Sequence, residues 1–133
     1  MSQLRQHSSM IILLFALAVV GCKFQEPSAQ DASAIYGCYT APGAPSFSLS
    51  RAGMSVEGFS APIPFRYELR KVGYVLDVPI EANEISGRLA FLAGDRQFYR
   101  MVPSNAGPTF IVAFGPDATI ENYKRSPASA CTA

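Results

Sequence analysis

After Ile35, apolar and polar residues alternate along most of the chain, which is the pattern of β-strands with one buried face. The clearest case is residues 65–70, where apolar and charged side chains take turns. In residues 74–80 the even positions are apolar, and Pro79 cannot donate a ladder hydrogen bond. This second segment therefore predicts an edge strand or a bend at Pro79.

Further strands are predicted in segments bounded by glycine and proline: 36–40, 46–51, 54–58, 84–92, 97–102 and 109–115. The segment 84–92 is followed by a predicted turn at residues 93–95. Residues 119–124 predict a short helix, capped by Asp117 or Thr119 and ended by Pro127. The loops are too short for parallel crossovers. The fold class is therefore all-β: an antiparallel meander of seven to eight strands that forms a barrel or a sandwich, with a short C-terminal helical turn.

The first 22 residues have the features of a secretion signal. Arg5 is basic, and an apolar run of 11 residues extends from Met10 to Val20. Such a run is too short to cross a bilayer, which needs about 20 apolar residues. The run ends in Val19-Val20-Gly21-Cys22, which resembles the lipobox of bacterial lipoproteins. The resemblance covers residues 1–22 and implies cleavage before Cys22, acylation of Cys22, and stable attachment to a membrane.

This resemblance divides the chain into three parts. Residues 1–21 are the signal peptide, 22–34 are the lipidated cysteine with a flexible tether, and 35–133 are a single β domain. The tether is expected because its small and polar residues bury little surface. Lys23, rather than aspartate, follows Cys22, which favours the outer membrane of the cell envelope. The domain would then face the periplasm or the cell surface.

The chain has three cysteines. If Cys22 carries lipid, Cys38 and Cys131 are left as a pair, and outside the inner membrane the environment is oxidising. We therefore predict a Cys38–Cys131 disulfide. The alternatives are two free thiols or a metal pair, and the second is poorly supported because two cysteines without histidine make a weak zinc site.

Composition then excludes several functions. Removal of residues 1–21 takes away one of 11 basic residues, none of 10 acidic residues, and the only histidine, His7. The remaining charge is zero, so there is no basic excess for nucleic acid. Without histidine, Ser-His and Cys-His mechanisms are excluded. The serines lie in no nucleophile elbow and the carboxylates are expected on solvated surfaces, so we predict no catalytic residue, no metal site and no cofactor.

Two features suggest binding. Arg66, Arg70 and Lys71 share one strand and its turn, while Arg88, Arg96 and Arg100 come from the next hairpin. If these residues align, they form a basic strip, with Arg66, Arg70, Arg88 and Arg100 as the candidate site for an anion or an acidic partner. The alternative is scattered surface charge. The second feature is a set of aromatic residues, 8 Phe and 6 Tyr after the signal. In a small barrel these rings would fill the interior, or the barrel would hold one apolar ligand.

The main functional prediction is a non-catalytic binding or accessory module, held to the membrane by lipid and directed at an envelope protein. Two alternatives are a carrier of a small apolar ligand and an inhibitor of a cell-wall lytic enzyme. The second rests on a resemblance to small lipid-anchored lysozyme inhibitors of bacteria. Cys38, Cys131 and Ser86-Gly87 match that family's layout. Arg88 stands where the family has tyrosine, and the family's tryptophan is missing.

Overall fold

The computed structural model describes residues 31–132, which form one antiparallel sheet of eight strands. Two single 3-10 turns, Ala32–Ile35 and Ala128–Ala130, flank the sheet in sequence. The strands are β1 (Gly37–Thr40), β2 (Phe47–Ser50), β3 (Gly53–Val56), β4 (Arg66–Arg70), β5 (Gly73–Ile85), β6 (Arg88–Val102), β7 (Thr109–Phe114) and β8 (Thr119–Ser126).

The strand order is β3-β2-β1-β8-β7-β6-β5-β4, so that consecutive strands are neighbours except β3 and β4, and the first strand pairs with the last. The all-β antiparallel prediction is confirmed. The sheet is neither split into a sandwich nor closed into a barrel. Among the described residues, its edge strands β3 and β4 share no ladder, and a single bridge joins Met54 of β3 to Ile63 in the segment before β4.

The sheet curves around one aromatic core. Phe47 of β2 contacts Phe91 of β6, with ring centroids 6.3 Å apart, although three strands separate β2 from β6 in the sheet. Tyr39 and Phe110 pack edge to face at 4.9 Å, and Tyr123 tilts against Phe47 at 4.9 Å. These rings fill the concave side of the sheet, which is how a chain of this size buries enough apolar surface to fold.

The hydroxyl groups of three buried tyrosines bind backbone carbonyls. Tyr39 donates to Ile35 at 2.6 Å, Tyr99 donates to Ile80 at 2.6 Å, and Tyr123 donates to Pro45 at 2.8 Å. A buried phenol needs such a partner because an unpaired polar group away from water is costly. Tyr99 and Tyr123 therefore fix segments that are distant in sequence, whereas Tyr39 fixes the 3-10 turn next to its own strand.

The long hairpin of β5 and β6 corrects two predictions. Ser86 and Gly87, with φ of 53° and 76°, form its turn, so the predicted strand 84–92 actually crosses a turn. The predicted turn at residues 93–95 lies inside β6, where the register shifts between Val78 and Ile80 of β5. Extra residues in β6 face Pro79, so the ladder bulges without ending. β5 thus lies between two strands and is not an edge.

The predicted helix at residues 119–124 is wrong, because these residues belong to β8. Tyr123 points into the core while Ile120 is exposed on the other face. β8 pairs with β7 along six residues and with β1 along three. A helix here would leave the edges of both neighbours unpaired. The only helical turn after β8 among the described residues is Ala128–Ala130, which follows Pro127.

The predicted disulfide is confirmed: Cys38 of β1 is bonded to Cys131, with the Cα atoms 5.7 Å apart. At the other end of the described chain, Asp31 caps the first 3-10 turn, which includes residues 32–34 of the predicted tether. Arg125 of β8 holds this turn by donating to the carbonyls of Ala34 and Tyr36 at 2.8 and 3.1 Å. The predicted signal peptide and Cys22 lie outside the described residues.

Candidate functional site

Two carboxylates are buried on the convex face of the sheet, where the sequence predicted solvated charge. Glu68 of β4 is 2% exposed and Asp77 of β5 is 4% exposed. Alternation does direct both away from the core, since their neighbours Tyr67 and Leu76 point inward. The prediction of solvent exposure is wrong because long side chains from the neighbouring residues cover them.

Arginines supply that cover. Glu68 accepts two hydrogen bonds from Arg70, at 2.7 and 3.0 Å, and lies 3.4 Å from Nε of Arg66. Asp77 accepts a hydrogen bond of 2.9 Å from Nε of Arg96. The arginines are about half exposed whereas the carboxylates are not. Each buried charge is therefore compensated, and the guanidinium groups are held at the surface in fixed positions.

Arg70 also stacks on an exposed aromatic ring. Its guanidinium carbon lies 4.1 Å from the ring centroid of Phe98 in β6. Arg70 reaches across β5 to do so, and its register partner there is Gly73, which has no side chain. Phe98 is 53% exposed even though it is a large apolar residue. We call Arg66, Glu68, Arg70, Arg96 and Phe98 the arginine–phenylalanine cluster.

The structure separates the four arginines proposed from the sequence. Arg66 and Arg70 meet at Glu68. Arg100 lies on the same face two strands away, since Glu68 pairs with Val75 and Val75 with Arg100. Within residues 31–132, Arg100 has no carboxylate partner. Arg88 stands apart, next to the turn of the long hairpin.

The predictions from the sequence assigned no role to Phe98, and they placed Arg96 in the basic strip without a carboxylate partner. Alternation did place Phe98 on one face of its strand, opposite Tyr99, but gave no sign of which face would be outside. Arg96 reaches Asp77 from the bulge in β6, where residues 94–96 have no regular partner in β5. The one available signal was Asp77 between two apolar neighbours, because a charge in a buried strand needs a partner.

The turn of the long hairpin is a second exposed feature. Ser86 and Gly87 both have positive φ, which suits the two-residue turns that follow the twist of a hairpin. Both residues are exposed, whereas Leu89 and Phe91 farther along β6 are buried in the core. The base of this half of the hairpin is thus fixed by packing, and its turn is free to touch another molecule.

Buried tyrosines have raised pKa values in the described part of the chain. No group of three metal-binding side chains occurs there. Burial raises the pKa of Tyr99 to about 12 and also raises the pKa of Tyr123, so both phenols stay protonated at neutral pH. Their hydroxyls are committed to backbone carbonyls. These shifts reflect structural burial and do not mark a proton-transfer site.

One hollow at the surface has a volume of about 510 Å³. It is an open depression lined by Ile35, Tyr67, Met101, Arg125 and the loop 103–108. The space inside the sheet, which a carrier of an apolar ligand would need, is occupied by aromatic rings. An apolar ligand would have to displace these rings to enter the sheet.

No family model, no curated protein and no solved structure matches this chain. None of the helical turns described between residues 31 and 132 is long and apolar enough to span a membrane. A function must therefore be argued from the arrangement of the residues themselves.

Proposed function

We propose that the protein is a membrane-anchored lipoprotein of the cell envelope whose β domain is a non-catalytic binding module. The observation that carries the proposal is the arginine–phenylalanine cluster. Arg70 is held between a buried carboxylate and an exposed aromatic ring, 2.7 Å from Glu68 and 4.1 Å from the centroid of Phe98. We propose that an envelope protein binds at this cluster.

Two physical arguments support binding at this place. Arginine and aromatic residues are enriched where protein interfaces gain most of their affinity. Association also restricts flexible side chains, at about 0.5–1.5 kcal/mol for each one. Arg66, Arg70 and Arg96 are already restrained by Glu68 and Asp77. They would therefore lose little further freedom when a partner binds.

The charge of the cluster indicates the chemistry of the partner. With Arg100 included, four arginines surround two buried carboxylates, Glu68 and Asp77. The surface that a partner meets is thus positive around an apolar ring. An acidic protein surface with an aromatic or aliphatic residue at its centre would complement it.

The binding proposal is tested by cross-linking in the native envelope. Phe98 is replaced by a photoreactive phenylalanine, and Ser129, on the C-terminal turn, is replaced in the same way as a control. We expect position 98 to form one discrete protein adduct that is lost when the Arg70→Glu change is added. No adduct, or the same adduct from position 129, would contradict the proposal.

The anchor is a separate part of the proposal and has its own test. Cys22→Ala should prevent acylation, so that the chain no longer carries acyl chains by mass spectrometry. Its processing should stop at the precursor, because cleavage in this class follows lipid attachment. Cys38→Ala is the matched control and should leave acylation intact. If the unmutated protein is cleaved but carries no lipid, the lipoprotein proposal is wrong.

A second candidate function is inhibition of a cell-wall lytic enzyme such as a lysozyme. It is favoured by the exposed Ser86–Gly87 turn at the end of a packed hairpin, on a domain closed by the Cys38–Cys131 disulfide. A turn of this kind would enter an enzyme cleft. We expect inhibition of at least one lysozyme at micromolar concentration, weakened by Ser86→Ala but not by Ser60→Ala. Absence of inhibition across a panel would eliminate this candidate.

A further inference from the structure

The two ends of the sheet carry opposite charge. In this antiparallel meander, the β2–β3 turn, the β4–β5 turn, the β6–β7 loop, the start of β1 and the end of β8 lie at one end. We call it the amino end, because the first 3-10 turn (Ala32–Ile35) lies there and is bound by Arg125. The β5–β6 and β7–β8 turns lie at the opposite end, which we call the far end.

Basic residues collect at the amino end. It carries five cations and two acidic residues, Asp31 and Glu68; the cations are Arg51, Arg70, Lys71, Lys124 and Arg125. The far end, with the hairpin half beyond Pro79, has one cation, Arg88, and five acidic residues: Glu57, Glu81, Glu84, Asp117 and Glu121. Residues 31–133 hold nine basic and nine acidic residues, so the asymmetry is invisible in the net charge.

Three cations at the amino end are exposed and are not used by the fold. Arg51 lies in the β2–β3 turn, Lys71 in the β4–β5 turn and Lys124 near the end of β8. Within the described chain, none of the three has a carboxylate within 4.0 Å. Arg51 lines a shallow depression together with Ala32 and Tyr36 and is therefore next to the first 3-10 turn.

The position of Asp31 connects this end to the proposed anchor. Asp31 caps the first 3-10 turn, and Cys22 precedes it by only nine residues. Nine residues span at most about 32 Å even when fully extended. If Cys22 is acylated, the amino end is therefore the part of the domain that the chain connects most directly to the membrane surface.

We propose that the amino end is a docking surface for anionic phospholipid, and that it fixes the orientation of the domain on its membrane. Arg51, Lys71 and Lys124 contact the headgroups, and the acidic far end is directed away from them. Each basic side chain near an anionic leaflet strengthens the attraction roughly fivefold, so three favour the docked orientation by roughly a hundredfold. The nearness of the amino end to the membrane rests on the proposed anchor at Cys22, whereas the distribution of charge between the two ends does not depend on it.

The absence of tryptophan makes the orientation measurable. Val72→Trp places one fluorophore in the exposed β4–β5 turn, and Ile85→Trp places one beside the exposed hairpin turn. The full chain carrying either change is reconstituted in vesicles with a dansyl-labelled lipid. Energy transfer is measured in phosphatidylcholine and in a mixture of phosphatidylcholine with phosphatidylglycerol.

We expect transfer from Trp at position 72 to rise in the anionic vesicles and transfer from position 85 to stay unchanged or fall. The rise should vanish in about 0.5 M salt, where the Debye length is below about 5 Å. Neutralising Arg51, Lys71 and Lys124 together to glutamine should also abolish it. The matched control, Asp117→Asn with Glu121→Gln, removes charge at the far end and should leave it intact.

An equal rise at both positions, a rise that survives in the triple variant, or no rise at all would overturn the proposed orientation. The anchor is judged separately by mass spectrometry of the same preparation. If Cys22 carries no lipid but the signal at position 72 rises with anionic lipid and falls with salt, the docking surface stands and the lipoprotein proposal fails.

Discussion

The convex face of the sheet is covered in two different ways. Over β1 to β3 the cover is covalent: Cys38 points outward, and the C-terminal segment crosses it through Cys131, whose sulfur lies 3.1 Å from the Phe47 carbonyl oxygen. Over β4 to β6 the cover consists of arginine side chains above Glu68 and Asp77. Both covers bury the strands beneath them, but only the second presents restrained charged side chains and an aromatic ring at the surface. The second face is therefore the one suited to a partner.

Loss of the covalent cover should have the largest effect on stability. Replacing both Cys38 and Cys131 with alanine releases a loop with a sequence separation of 93 residues. The chain-entropy model assigns such a loop about 4–5 kcal/mol. We expect a loss of that order in the free energy of unfolding, measured by urea denaturation. Reduction of the parent chain should give the same midpoint as the double variant, and an unchanged midpoint would mean that the cover contributes nothing.

Alkaline pH should have the next largest effect on the free energy of unfolding. The groups responsible are the tyrosines beneath the two covers. Burial raises the pKa of Tyr99, behind the arginine cover, to about 12, and also raises that of Tyr39, behind the disulfide. Because these pKa values are raised in the folded state, the protonated phenols contribute their full stabilisation below pH 10, where the phenols of the unfolded chain are also protonated. It is lost as the pH rises from 10 towards 12.

For Tyr99 alone, a rise in pKa from 10 to about 12 corresponds to about 3 kcal/mol in the free energy of unfolding. Denaturation curves from pH 9 to 12 measure this loss. Tyr99→Phe should flatten the pH dependence, although its stability at pH 7 should also fall because the Ile80 carbonyl loses its donor. An equally steep dependence in Tyr99→Phe would assign the effect to other groups.

Removing the buried carboxylate of Glu68 beneath the arginine cover should have a smaller effect on the free energy of unfolding. Glu68→Ala leaves Arg66 and Arg70 without their anion and opens the space above Val75. Both arginines are about half exposed, so water recovers part of the lost interaction, and we expect about 1–2 kcal/mol. Glu68→Gln keeps the shape and isolates the charge. If Glu68→Ala matched the disulfide variant, the two covers would be equivalent and the comparison would fail.

The smallest effect on folding is expected from Phe98→Ala. The ring is more than half exposed and stacks only on Arg70, so its loss should change the free energy of unfolding by under about 1 kcal/mol. Binding to the partner identified by cross-linking should weaken at least tenfold, as is typical of an aromatic anchor. Equilibrium denaturation and titration of the same protein separate the two quantities. Weakened folding with unchanged binding would place Phe98 in the structure and outside the interface.

The sequence was sufficient to identify most of the strands but not the turns and bulges between and within them. Alternation correctly placed Phe47, Leu49 and Leu76 inside, because burial of one face is a local property of a strand. It could not reveal that β6 continues through Gly94, because Ala93-Gly94-Asp95 has the composition of a turn, whereas the ladder bulges there and goes on. It also misassigned residues 119–124, since apolar residues three apart fit either a helix or a curved strand.

The candidate site was predicted only in part for a related reason. Arg66 and Arg70 share a strand, so their common face follows from sequence spacing. The burial of Glu68 and Asp77, the contact of Arg96 with Asp77 and the stacking of Arg70 on Phe98 depend on which strands are neighbours and on a bulge between them. Arg88 was grouped with the others because sequence proximity did not show that the long hairpin carries it away.

The pairing of β1 with β8 has a consequence for the order of events during biosynthesis. Cys38 of β1 lies opposite Ser126 of β8, the last of the eight described strands. β1 is thus made early and acquires its second neighbour last, after nearly all the other strands have emerged. A nascent chain cannot complete this domain step by step behind the ribosome or a translocation pore. One edge of β1 must stay open until β8 and Cys131 have been made, and only then can the two cysteines meet.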